Sequence, residues 1–199
     1  MEYIYIDSAN GNDESEGSTP ETAIKTIACL NERLKSVHAG TEILFCREGE
    51  YSGCLTLNID GTQEAPIKFG AYGEGKTPII RGVDGNTPFI IHSEYVTVED
   101  LEFTNPSGHV CIYVESHKDG VHRGITVRNC FFHDVNLDMT WHNHDSGGVA
   151  FFADGDKPNW FDGILIENNR FDRLARCGVY IYSSWTRRYR YQNWGNKND

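Results

Sequence analysis

Val96-Thr97-Val98-Glu99-Asp100-Leu101-Glu102-Phe103 is echoed 29 residues later by Ile125-Thr126-Val127-Arg128-Asn129-Cys130-Phe131-Phe132, and after a further 39 by Ile164-Leu165-Ile166-Glu167-Asn168-Asn169-Arg170-Phe171. Aliphatic residues hold positions one and three, Asp or Asn position five, and Phe position eight. A second apolar run follows each: Val110–Val114, Gly148–Phe152 and Gly178–Tyr182. Strand-like runs at a recurring but elastic interval predict a solenoid whose corners accept loops of different length. Inward aliphatics and phenylalanines from successive coils then stack into one core. A polar residue at position five marks a bend, where a side-chain amide can bond the coils above and below. A β-sandwich has no need for that residue at the same place each time, whereas a parallel β-helix does.

Outward from this repeat the pattern continues. Between Thr41 and His92 the segments EILFC, CLTLNI, APIKFGAY, TPIIRG and TPFIIH are short, lack helical spacing and are separated by turns, which predicts strands. The first forty residues differ. Tyr3-Ile4-Tyr5-Ile6 reads as a strand and DSANGNDESEGSTP as a turn-rich loop whose Asp7, Asn10, Asn12 and Asp13 suit structural turns better than catalysis. Thr19-Pro20 reads as an N-cap followed by proline, and Ile24, Ile27, Leu30 and Leu34 recur at helical spacing. One amphipathic helix from about Pro20 to Val37, capping the solenoid end, is predicted. The expected organisation is strand, loop and capping helix over residues 1–40, then β-helix coils over 41–199.

The apolar content of 39% and charged content of 24% describe a globular chain. No apolar run approaches the roughly 18 residues of a membrane helix, and MEYIYIDSANG has neither a basic nor an apolar leader region. The net charge of −11 argues against a general nucleic-acid partner. That charge is uneven, because residues from Ile166 onward sum to +4 and the first 165 to −15. None of the six cysteines forms a CxxC pair, and Cys111, Cys130 and Cys177 lie in apolar runs as small buried side chains would. Cys46 and Cys54 could face each other across a turn, which the sequence leaves open.

YIDSANGNDESEGSTPETAIKTI (5–27), GTEILFCREGEYSG (40–53) and APIKFGAYGEGKTPIIRG (65–82) resemble the opening of bacterial right-handed parallel β-helix proteins of the pectate-lyase-like superfamily. ITVRNCFFHDV (125–135) and ILIENNRFDRL (164–174) with CGVYIY (177–182) resemble its generic coil. The resemblance implies an all-β, right-handed parallel β-helix with an N-terminal capping helix. It implies carbohydrate processing, as a polysaccharide lyase or glycoside hydrolase on a plant or microbial glycan, or a non-catalytic glycan-binding or surface module. Members of this superfamily usually run for more coils. SSWTRRYRYQNWGNKND offers no cap like the first helix, so further coils or a partner chain are expected over the C-terminal end. A secreted or cell-surface location is the matching expectation.

Three constellations could carry such chemistry. In Trp141-His142-Asn143-His144-Asp145, two imidazoles at i and i+2 share one side of an extended segment, with Asp145 as orienting group or base. The alternative is a polar loop. Asp154, Asp156 and Asp162 could give oxygen ligands to calcium, although the spacing is not that of an EF-hand and an Asp-Gly turn explains it equally. Acidic-polysaccharide lyases often use calcium to bridge enzyme and substrate carboxylates. Finally, Trp141, Trp160, Tyr182 and Trp185 could stack on sugar C–H faces, while Arg187 and Arg190 pair with uronate or sulfate. For a lyase, His144 or Arg188 would take the proton, with His142 beside them. For a hydrolase, two of Asp145, Asp154, Asp156 and Asp162 would be acid and base.

Overall fold

The computed structural model describes residues 2–136 and 146–183. β1 (Glu2–Ile6) is followed by a 3-10 turn (Pro20–Thr22) and α1 (Ile27–Leu34). Three strands come next, β2 (Thr41–Cys46), β3 (Glu50–Ser52) and β4 (Leu55–Leu57), and the chain then repeats that circuit with β5 (Ile67–Tyr72), β6 (Ile79–Arg81) and β7 (Phe89–Ile91). The third circuit is β8 (Val96–Glu99), β9 (Glu102–Asn105) and β10 (Val110–Ser116), with β11 (Gly120–Arg123) added. The fourth is β12 (Ile125–Arg128), β13 (Phe131–Val135) and β14 (Gly147–Ala153), again with an extra strand, β15 (Asn159–Asp162). β16 (Leu165–Glu167), β17 (Arg170–Leu174) and β18 (Cys177–Ser183) complete the fifth.

Among the described residues every pairing is parallel, β1 joining the first circuit and each circuit the next. Sheet A is β1-β2-β5-β8-β12-β16, sheet B is β3-β6-β9-β13-β17, and sheet C is β4-β7-β10-β14-β18. β11 and β15 make a two-stranded ribbon of their own. The chain is thus nearly all β with parallel sheets, an arrangement consistent with a β-helix.

Position eight of the repeat forms the clearest column. Phe103, Phe132 and Phe171 occupy one register line, and their rings stack with centroids 5.3 and 5.2 Å apart and planes within 13°. Positions one and three fill sheet A's inner face: Val96, Val98, Ile125 and Val127 are fully buried. Leu55, Leu57, Phe89, Ile91, Ile112, Val114, Val149 and Phe151 do the same from sheet C. In the fifth circuit the inward residues are less covered by the described residues, and Ile181 is 63% exposed.

Position five owes its Asp or Asn to the backbone. Asp100, Asn129 and Asn168 have φ of 56°, 55° and 54°, the left-handed conformation in which short polar side chains are least penalised. The amide that ties two circuits belongs instead to the next residue. Asn169 Nδ2 donates to Val127 O at 2.8 Å, and its Oδ1 accepts from Cys130 N at 2.9 Å.

The predicted helix is shorter than its apolar spacing suggests. Ile24 bridges to Ile6 as extended chain, and Asp13 Oδ1 accepts from the backbone N–H of both Lys25 and Thr26. Asp13 thereby holds those residues out of a helix, which begins only at Ile27 with the Thr26 hydroxyl accepting from Cys29 N. Asp7 likewise accepts from Ala9 and Asn10 N–H, so these loop carboxylates act on the backbone. α1 packs on β4, the edge strand of sheet C, and buries Ile27, Leu30 and Leu34. Asn31 Nδ2 donates to Cys54 O and its Oδ1 accepts from Thr56 N, occupying backbone groups at that edge. All six cysteines are free, Cys46 and Cys54 included. Burial pushes the Cys130 thiol up to about 12.

Phe132→Ala should cost about 3–5 kcal/mol in urea unfolding, as expected for a truncated buried ring. At the bend, Asn129→Gly should be near neutral and Asn129→Val should lose about 1–2 kcal/mol, because a β-branched residue resists positive φ. Equal losses from both bend substitutions would refute the backbone account.

Candidate functional site

Outward residues of sheet B form a charged cluster. Its register lines place Glu102 beside Phe131 and Arg170, and Thr104 beside His133 and Asp172. A register shift after His133 coincides with positive φ at Asp134, which turns that carboxylate toward the same ring. His133 Nε2 lies 2.8 Å from Glu102 Oε1 and Nδ1 lies 2.7 Å from Asp134 Oδ2. Arg173 donates from Nε and Nη2 to the two oxygens of Asp134, and from Nη1 to Asp172. The Arg173 guanidinium, with His133 behind it, holds the Asp134 carboxyl well below the usual carboxylate range. The Phe131 ring stacks on His133 at 4.6 Å and carries the Arg170 guanidinium 4.5 Å from its centre. The cluster thus offers a carboxylate fixed in its ionised form, a second carboxylate across an imidazole, and guanidinium groups at its rim.

Sheet C presents a different outer face. Tyr113, Ala150 and Tyr180 share one register line, while Glu115, Phe152 and Tyr182 share the next. Phe152 is the hub, with ring centroids 4.8 Å from Tyr113, 5.7 Å from Tyr180 and 5.3 Å from Tyr182. At its edge Glu115 lies 3.5 Å from His92 Nδ1 and 3.8 Å from His117 Nε2. Such a row of half-buried rings beside a carboxylate can stack on sugar C–H faces and bind a hydroxyl.

The sequence-predicted residues divide as follows. Trp141, His142, His144, Asp145, Trp185, Arg187, Arg188 and Arg190 lie outside the described residues. Tyr182 belongs to the aromatic face of sheet C. Trp160, 52% exposed, and Asp162 are on β15, where Asp162 is 3.9 Å from Arg123. Asp154 follows β14, its carbonyl accepting from Asn159 Nδ2, and Asp156 is exposed in the connection to β15. Among the described residues no group of three or more His, Cys, Asp or Glu side chains is placed to hold a metal ion. No helix among them is long and apolar enough to cross a membrane. The sheet B cluster, and the sheet C face apart from Tyr182, escaped the sequence reading, although the repeat encodes the first of them. Positions seven and nine of successive repeats read Glu102/Thr104, Phe131/His133 and Arg170/Asp172, and by alternation these point outward together.

No protein-family model matches the chain. It is similar to the lacto-N-biosidase of Bifidobacterium longum subsp. longum, with 22% identity over 249 aligned residues covering 89% of this chain and 16% of that protein. Among solved structures it is similar to the GH136 lacto-N-biosidase from Eubacterium ramulus, with a TM-score of 0.76, 22% identity, and coverage of 91% of this chain and 36% of that one. It is also similar to the alginate lyase from Paenibacillus sp. str. FPU-7, with a TM-score of 0.50, 16% identity, and coverage of 73% and 56% respectively. At these identities the likeness shows the fold. The chain spans about a sixth of the length of the curated relative.

The Asp134–Arg173 pair makes a pH-dependent contribution. The folded-state pKa of Asp134 is depressed, so its stabilisation is full above the unfolded value of about 3.9 and is lost as pH falls through the folded one. Arg173→Met should therefore be less stable than the parent at pH 7, and the two should converge in denaturant unfolding as pH falls below about 3.9. Because Arg173 is exposed, the gap should be small. A gap unchanged from pH 7 to strong acid would mean the pair contributes nothing electrostatic.

Proposed function

We propose that this chain is a section of a right-handed parallel β-helix in a carbohydrate-active enzyme, and that it contributes to glycoside hydrolysis of an oligosaccharide. The observation that carries the reading is the adjoining pair of outer faces, a carboxylate–imidazole–carboxylate cluster on sheet B and an aromatic row on sheet C. Aromatic rings would hold a glycan by its apolar faces, and the charged cluster would act on or orient its glycosidic bond. Asp134, kept ionised by Arg173, suits the role of charge stabiliser, and Glu102, which shares the His133 ring with it, is the proposed general acid. Trp141, His142, His144 and Asp145 follow β13 and precede β14 in sequence and stay candidates for the same site. Two similar proteins named lacto-N-biosidase favour hydrolysis, with a lacto-N-biose-containing oligosaccharide as the first substrate to try. The alginate lyase keeps elimination on a uronate polymer, with calcium at Asp154, Asp156 and Asp162, as the competitor. Exposed inward residues such as Ile181 support a cover over the fifth circuit, from further coils or a partner chain.

A second reading, a non-catalytic glycan-binding module, is favoured by the saturation of His133, both of whose ring nitrogens are engaged. Product assays separate the three. Purified chain should release reducing ends from a lacto-N-biose-terminated oligosaccharide, and Glu102→Gln should lower kcat about 100-fold or more, the usual effect of losing a general acid. Unsaturated product from alginate without reducing ends from the neutral substrate would establish the lyase instead. Glycan binding with neither product would leave the binding module.

A further inference from the structure

We infer that the cleft between sheet A and the β11–β15 ribbon is a second saccharide-binding site, separate from the faces of sheets B and C and selective for neutral sugars. The cleft has a volume of about 450 Å³ and is lined by Gln63, Tyr95, Thr97, Arg123, Thr126 and Asp162, with Gly124 and Gly163 in its floor. That size falls within the roughly 300–1,000 Å³ of small-molecule sites.

Tyr95 is the unusual element. It precedes β8 as Gly124 precedes β12 and Gly163 precedes Ile164 of the next repeat, and all three have positive φ, at 53°, 72° and 72°. Glycine adopts this conformation freely, whereas a bulky aromatic residue there is an outlier that needs enforcement. The enforcement is visible. Tyr95 N donates to Arg123 O at 2.8 Å, and Tyr95 O accepts from Ile67 N at 3.0 Å, so the circuits on both sides pin its backbone. The ring lies over the next circuit's glycine: a Cβ on Gly124 would stand 2.4 Å from Tyr95 Cδ1. Strain held in this way, beside a cleft, points to function more than to folding.

The lining specifies the ligand class. One guanidinium and one carboxylate cancel, so neither an anion nor a cation is selected. Arg123 Nε and Asp162 Oδ2 are 3.9 Å apart, beyond hydrogen-bond length, and their side chains are 48% and 69% exposed. Both thus keep capacity for a ligand, as a donor fork and an acceptor pair. The Gln63 amide and the Thr97 and Thr126 hydroxyls add groups that both donate and accept. An aromatic face combined with mixed donors and acceptors of zero net charge matches a polyhydroxylated ring. Trp160, two residues before Asp162 and on the same side of β15, extends the aromatic surface toward a second sugar.

The test is saturation-transfer NMR of the 199-residue chain with lactose and with N-acetylglucosamine, with glucuronate as the charged control and calcium chloride added as a competitor of the bound sugar. The parent should bind at least one neutral sugar with a Kd of about 1 mM, a level a single open subsite can reach. Tyr95→Gly removes the ring and relieves the positive φ, so it should weaken binding about tenfold or more while leaving Tm equal or higher. Asp162→Asn, at an exposed position, should weaken binding about tenfold with Tm unchanged. No binding of either sugar, equal affinity in parent and both variants, preferential binding of glucuronate, or displacement of the sugar by calcium would overturn the inference. Because the assay needs no turnover, a chain that binds but does not hydrolyse would keep this site and lose the enzymatic reading.

Discussion

Everything else in this fold depends on parallel, in-register stacking of the same inward positions from one circuit to the next. Side chains alternate in a strand, so a slip of one residue would carry the whole Phe103–Phe132–Phe171 column to the outside. The column therefore fixes register where the connections cannot. Repeat starts 29 and 39 residues apart still align strand for strand. Most of the additional length falls in sequence between Phe132 and Val149, the partners of Phe103 and Ile112, while β11 and β15 pair residue for residue in the same parallel sense.

Register also needs the chain to turn at the same place each time, and the backbone supplies this through left-handed residues on both sides of sheet A. Tyr95, Gly124 and Gly163 stand before the strands, and Asp100, Asn129 and Asn168 after them, all with φ between about +50° and +72°. Between those bends only a short extended run fits, which explains strands of three or four residues at β8, β12 and β16. The two bends use different chemistry. Asx residues tolerate the conformation with a side chain present, and glycine takes it with none, so Tyr95 is the position where the rule is broken.

Much of this was legible in the sequence because it is periodic. Apolar positions one and three, the Asx bend and the Phe column could be read directly, but the bend reflects backbone conformation and the amide that ties two circuits falls one residue later, at Asn169. Helix length was not legible, since the spacing of Ile24 with Ile27 and Leu30 is truly helical. What removes Ile24 from the helix is Asp13, more than ten residues away in sequence, together with a bridge to Ile6. The candidate sites were hidden for a related reason. The contacts that build them reach across circuits, as His133 meets Glu102 31 residues away and Arg173 meets Asp134 39 residues away. Motif reading searches near neighbours along the chain, and so it favoured WHNHD and the Asp154–Asp162 loop.

Core and chemistry are consequently divided by the two-residue period of each strand. Inward positions are constrained to be apolar and of matched size, while outward ones may change without disturbing the stack. This freedom explains how sheets sharing one core carry ion pairs on sheet A, a charged cluster on sheet B and aromatic rings on sheet C. It also means that outward geometry inherits its precision from the interior. Glu102 reaches His133 because Phe103 and Phe132, their immediate chain neighbours, are stacked 5.3 Å apart inside. A cavity cut into the column would loosen that contact although no outward residue had changed. Conversely, exchanging outward residues circuit by circuit leaves the fold's constraint untouched, and a parallel stack of this kind can acquire a new binding face without acquiring a new core.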